Sequence, residues 1–227
     1  MSRLPILALA AAILGLGSWY LSTPPSTPSG SAQLADQLVG AAHAQDAELD
    51  TSTIAEMRLG NPDAPVTVIE YASYTCPHCA SFHGGTFKQL KSDFIETGKI
   101  NFVYREVYFD RYGLWASAIA RCAGTPDSFF GITDILYQQQ SEWTRAGEPA
   151  DIVAALRKIG AVAGLDGDTL EACLQDGQKL RTLVQWYTEN AETDGIRSTP
   201  SFVIDGTTYN NMSFSEMADL INDASGS

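Results

Sequence analysis

The stretch Tyr74-Thr75-Cys76-Pro77-His78-Cys79 places two thiols three positions apart at the opening of a helical pattern. A first cysteine at a helix N-terminus meets free backbone N–H groups and the positive end of the helix dipole, both of which favour its thiolate. The second cysteine lies one turn further on, within reach of the first. This spacing suits reversible dithiol–disulfide exchange, with the Cys76–Cys79 disulfide itself as the redox centre and no separate cofactor. Cys76 is then the exposed nucleophile, and the more buried Cys79 attacks a mixed disulfide to release the product. His78, next to Pro77 between the two thiols, can direct a hydrogen bond or partial positive charge at Cys76 and so make the disulfide more oxidising. Half of a zinc site is the other use of such a pair, with His78 and His83 as the nearest further ligands. Four residues past Cys79, His83 reads as a surface or partly buried histidine, and no metal site is expected.

Two apolar runs must carry this motif. Val66–Ala72, between Pro65 and Ser73, reads as a buried central strand, and residues 100–109 read as a second. Residues 76–96 between them read as a helix weakened at Gly84-Gly85, with Phe87, Leu90 and Phe94 on its apolar face. Strand, helix, strand implies a right-handed parallel unit. Glu70 stands out inside the first run, because a carboxylate among apolar neighbours is costly unless exposed or used. Six residues before Cys76, it either faces solvent or lies under the thiols and passes a proton to or from Cys79.

From residue 113 to 190 the signals are helical. Leu114, Ala118, Ile119 and Cys122 share one face, and Thr125-Pro126 starts the next helix. Pro149 opens another, with Ile152, Leu156 and Ile159 inward and Gly164 beyond its end. Asp168 and Glu171 read as a capping box before Leu170, Cys173 and Leu174, and Leu180, Leu183, Val184 and Tyr187 mark a further helix. Strands resume at residues 201–205 and 207–209 as a hairpin around Gly206, and a closing helix carries Phe214, Met217 and Leu220 inward. The expected organisation is an α/β core in two parts, 45–112 and 191–227, interrupted by a helical insertion at 113–190.

The chain has 227 residues, 44% hydrophobic and 18% charged, which is ordinary globular composition and excludes a disordered or multi-pass membrane protein. Acidic residues outnumber basic ones 27 to 14 with no basic stripe, so nucleic acid is not an expected partner. Residues 4–21 carry no charge, and a Pro/Ser-rich linker follows at 22–31. Two readings of residues 1–44 stand side by side: a signal peptide cleaved after Ala42-His43-Ala44, or an uncleaved membrane anchor on a tether. Either places the remainder outside the cytoplasm, where cysteines can pair.

Taken in order, Val66–Ala72, Cys76-Pro77-His78-Cys79, the helical insertion and Gly195-Ile196-Arg197-Ser198-Thr199-Pro200-Ser201-Phe202-Val203-Ile204 resemble the DsbA-type periplasmic thiol:disulfide oxidoreductases. The resemblance spans about residues 55 to 225 and implies a thioredoxin fold with an inserted helical domain. It implies a cis peptide bond at Pro200, with Thr199 set against the catalytic sulfurs as a substrate-binding residue; by the residues alone, Thr199-Pro200 is equally an ordinary turn. It places Glu70 where the family keeps a buried acid. Cys122 and Cys173 match a second pair found in some alphaproteobacterial relatives, and in an exported chain a structural disulfide between them is favoured over free buried thiols.

The expected function is that of a monomeric oxidase donating its disulfide to newly exported, reduced proteins, reoxidised by a membrane quinone reductase of the DsbB type. An isomerase or reductase is the nearest alternative, disfavoured because little chain separates Ala44 from the first strand for a dimerising domain. A metal carrier using Cys76, Cys79 and a histidine is the alternative from another class.

Overall fold

The computed structural model describes residues 49–226; the two readings of residues 1–44 lie outside them. Among the described residues no helix is long and apolar enough to cross a membrane. The core is one five-stranded sheet ordered β1-β3-β2-β4-β5, built from β1 Met57–Gly60, β2 Val66–Ala72, β3 Ile100–Glu106, β4 Ser201–Ile204 and β5 Thr207–Asn210. β2 and β3 are parallel, as expected of strands joined through a helix, and the other three pairings are antiparallel. In the central strand β2, Val66, Val68, Glu70, Tyr71 and Ala72 are buried, which accounts for its near-continuous apolar run.

β1 was not legible in the sequence. Met57-Arg58-Leu59-Gly60 is short and charged, and becomes a strand only by pairing with residues 101–104 of β3. β3 in turn is shorter than expected. Its last partner is Ala72 of β2, opposite Glu106, so Phe109 falls in a loop and is 60% exposed.

The expected helix at 76–96 is broken where the glycines predicted weakness. α1 Pro77–Gly84 stops at Gly85, whose backbone is non-helical, α2 Thr86–Leu90 resumes, and a π-helical turn, Lys91–Ile95, leads to β3.

Six helices form the insertion between β3 and β4: α3 Arg111–Cys122, α4 Pro126–Gln138, α5 Gln140–Trp143, α6 Pro149–Val162, α7 Gly167–Gln175 and α8 Gly177–Thr193. Thr125 caps α4 and Pro149 opens α6, as expected. α7 begins two residues earlier than a cap at Asp168 would allow: Asp166 accepts from the Thr169 N–H, and Glu171 pairs with Arg157 instead of closing a capping box. On α8 the buried face is set by Ile54, against which Leu183 and Trp186 pack, leaving Val184 exposed. Cys122 of α3 and Cys173 of α7 are disulfide-bonded, with Cα atoms 5.8 Å apart. Buried Arg121 of α3 pairs with buried Glu106 of β3 through two 2.6 Å contacts, fixing the insertion to the sheet.

The hairpin turns at Asp205-Gly206, both at positive φ, the geometry of a tight two-residue connection. α9 Phe214–Ser225 closes the fold behind a Ser213/Glu216 capping box and buries Met217 and Ile221.

Candidate active site

The thiols sit where the central strand hands over to a helix. β2 ends at Ala72, a turn is closed by the Cys76 N–H donating to the Ser73 carbonyl, and Cys76 becomes the N-cap of α1 with Pro77 as its first helical residue. Proline fits there because its fixed φ is helical and the position needs no N–H donor. Both cysteines are free thiols, Cys76 half-buried and Cys79 fully buried.

Their environments drive the two thiols apart. Cys76 is lowered to about 5, chiefly because the Cys79 thiol donates to its sulfur; burial opposes this, while the Thr199 side chain and the backbone N–H groups of Cys79 and His78 reinforce it. The Thr199 hydroxyl is buried with no hydrogen-bond partner among the described residues, which leaves it available to the Cys76 thiolate. Cys79 is driven far upward by burial first, then by its bond to the Cys76 sulfur and by the negative charge of Glu70. One sulfur is thus a thiolate at neutral pH and the other a thiol.

His78 reaches Cys76 by a different route from the one its ring suggested. Its side chain is exposed and makes no hydrogen bond, ion pair or ring contact among the described residues, so its contribution to the thiolate is the backbone N–H. Thr199 and Pro200 arrive from the other part of the core. Their peptide bond is cis, and the Thr199 carbonyl lies 3.4 Å from the Cys76 sulfur, which donates to it when protonated.

Glu70 is completely buried, which excludes the solvent-facing reading. Its partner is His83, whose Nε2 lies 3.1 Å and 3.0 Å from the two carboxylate oxygens. The sequence places His83 at or near the surface, yet it is 4% exposed, its ring stacked on Tyr137 with centroids 4.3 Å apart. Helical spacing offered a signal: Cys79 and His83, four residues apart, share the face of α1 turned to the sheet.

Two residues that sequence reasoning did not single out hold the active-site turn. Asp110 caps α3 by accepting from the Tyr112 and Gly113 N–H groups, and its other oxygen accepts from the Thr75 hydroxyl at 2.9 Å. An aspartate just before a helical run was a legible cap. Gln140 of α5 donates to the carbonyls of Tyr74 and Cys76, and nothing in Gln138-Gln139-Gln140 marks it out.

The comparisons with known proteins agree with this arrangement. The thioredoxin family model matches residues 52–223. A Rickettsia bellii protein provisionally named protein-disulfide oxidoreductase is 34% identical over 169 residues, 74% of this chain; the chain spans 64% of that relative's length. The crystal structure of Wolbachia pipientis alpha-DsbA1 superposes with a TM-score of 0.69 at 25% identity, covering 75% of this chain and 91% of that one. The crystal structure of a protein-disulfide isomerase from Novosphingobium aromaticivorans superposes with a TM-score of 0.65 at 26% identity, covering 74% and 99%. With its strand-to-helix cysteine pair, cis proline and helical insertion, the chain belongs to the thioredoxin family and has the architecture of its DsbA-type members.

Proposed function

We propose that the protein is a thiol oxidase that introduces disulfides into exported proteins. The observation that carries this reading is the opposed tuning of its thiols: a Cys76 stabilised as thiolate leaves readily, so the reduced form is favoured and the disulfide is a strong oxidant. In the oxidised enzyme, a substrate thiolate attacks the Cys76 sulfur, the Cys76–Cys79 bond breaks, and Cys79 departs with the electron pair and takes up a proton. A second substrate thiolate then attacks the substrate sulfur of the mixed disulfide and expels Cys76 as thiolate. Two electrons have passed from substrate to enzyme.

Glu70 supplies and removes the Cys79 proton in this scheme, since its carboxyl is buried close enough to act on that thiol through its charge. Thr199, at the cis peptide bond beside Cys76, offers backbone groups to an extended substrate. The site of action is the periplasm, as a monomer, with a DsbB-type quinone reductase restoring the disulfide. An isomerase role is the second reading, favoured by the likeness to the Novosphingobium protein-disulfide isomerase. A metal carrier has less support, because His78 faces solvent and His83 is engaged by Glu70.

The equilibrium of Cys76–Cys79 with glutathione tests the proposal. An oxidase requires the enzyme to be reduced at glutathione ratios that leave ordinary structural disulfides intact, and to oxidise a reduced model protein faster than it rearranges a scrambled one. The opposite order of rates would make it an isomerase. Cys79→Ser should accumulate mixed disulfides through Cys76, and trapping through Cys79 in Cys76→Ser would reverse the assigned roles.

A further inference from the structure

The Glu70–His83 pair is buried, yet its histidine borders open space. A cavity of about 350 Å³ has His83 in its wall, together with Lys88, Lys91, Asp127 and Asp134, whose exposed positions mark its solvent side. The two ring nitrogens are differently engaged. Nε2 faces both oxygens of Glu70, while Nδ1 has no hydrogen-bond partner among the described residues and is not one of the fully buried polar atoms. An imidazole bonded at one nitrogen and open at the other can accept a proton on one side as it releases one on the other.

We infer that His83 relays protons between solvent in this cavity and the Glu70 carboxyl, and through Glu70 to and from Cys79. The inference rests on the reading of Glu70 as the proton partner of Cys79. Since His83 touches neither sulfur, it is a positioning residue that acts through Glu70.

The proton balance closes over a catalytic cycle. When the disulfide opens, the departing Cys79 sulfur takes a proton handed on by the Glu70 carboxylate, which draws it from Nε2 of His83 while Nδ1 accepts one from cavity water. On reoxidation the proton of Cys79 passes through the same carboxylate to Nε2, and Nδ1 returns its proton to water. No electron passes through the pair.

Other ionisable groups do not replace the ring. Besides Cys79 of α1, the groups packed around the pair are the phenols of Tyr104 on β3 and Tyr137 on α4, with Tyr74 ahead of α1 packed in turn on those two rings. All three are held protonated by burial, and the Tyr104 and Tyr137 hydroxyls are spent on each other at 2.7 Å. The lysines and aspartates lie on the solvent side of the cavity, where they set its charge without reaching Glu70.

The test compares His83→Gln, His83→Ala and Glu70→Gln in the full-length protein, following oxidation of a reduced peptide by stopped flow across pH. Glutamine retains an N–H for Glu70 but lacks a second nitrogen, so a purely structural role survives in it and a relay does not. The expected result is a slowing of about tenfold or more in both His83 variants, with an altered pH profile, and restoration of His83→Ala by added imidazole. Imidazole should leave Glu70→Gln unchanged. If His83→Gln runs at the parent rate while Glu70→Gln is slow, the relay is wrong and Glu70 keeps its role. Parent rates in Glu70→Gln would overturn both. Should His83→Ala fail to fold, the rate and pH profile of His83→Gln decide alone.

Discussion

The side-chain amide of Gln140, on α5 of the insertion, donates to the backbone carbonyl of Cys76 at 2.9 Å and, in the same reach, to that of Tyr74 at 2.8 Å. The helical insertion thus grips the turn that presents the nucleophile, and does so from 64 residues away in sequence. Gln140→Leu removes both bonds and leaves the Tyr74 carbonyl without its donor, while the Cys76 carbonyl keeps only the Ala80 N–H. A stability loss of about 1–3 kcal/mol is expected, together with faster alkylation of Cys76 as its turn loosens. Thermal unfolding and the rate of iodoacetamide labelling measure the two effects, and an unchanged labelling rate would mean that the grip is not needed to hold the nucleophile.

Thiolate absorbance against pH should give a Cys76 midpoint near the value of about 5 set by its surroundings. Cys79→Ala removes the leading cause and should raise the midpoint most. Thr199→Val, which keeps the shape but not the hydroxyl, should also raise it. His78→Ala retains the backbone N–H and should leave the midpoint nearly in place; a large rise there would restore the imidazole as the tuning group.

The same lowered thiol makes stability depend on pH in a defined direction. Cys76 falls from 9.0 as an unperturbed thiol to about 5 in the fold, so the folded reduced protein gains stability from its thiolate above pH 9. That gain shrinks through the window from 9 down to 5 and is absent below it. The oxidised protein has no such thiol to titrate. Melting temperatures of the two forms, followed downward in pH, should therefore show the reduced form losing ground to the oxidised form, and parallel curves would contradict the titration.

Cys122 and Cys173 join α3 to α7 across a sequence separation of 51. Closing a loop of that size restricts the unfolded chain by about 3–4 kcal/mol on the entropic model, so the double variant Cys122→Ser/Cys173→Ser should unfold at markedly lower denaturant. The Cys76 midpoint should not move. Equal stability of parent and variant would leave the bond without a structural role.

How much of this molecule could be read from its sequence depends on the range of the forces involved. Val66–Ala72 is written as a near-continuous apolar run because both its faces are covered, and most helices of the insertion as short periodic patterns, because burying one face of a helix imposes its period locally. The cysteine motif is equally local: a thiol at a strand-to-helix turn and a second one turn on require six consecutive residues. What tertiary structure alone decided is the company those residues keep. β1 is a strand only because β3 is beside it, and Val184 is exposed only because Ile54 packs on another face of α8. Thr199 reaches Cys76 from 123 residues away, and Gln140 and Asp110 hold the active-site turn from the insertion. The burial of Glu70 against His83 is of the same kind. A carboxylate in an apolar strand announces a cost, but which group offsets it is fixed only when the strand, α1 and α4 close around one site, since hydrogen bonds and charges act over a few ångströms in space whatever their separation in sequence.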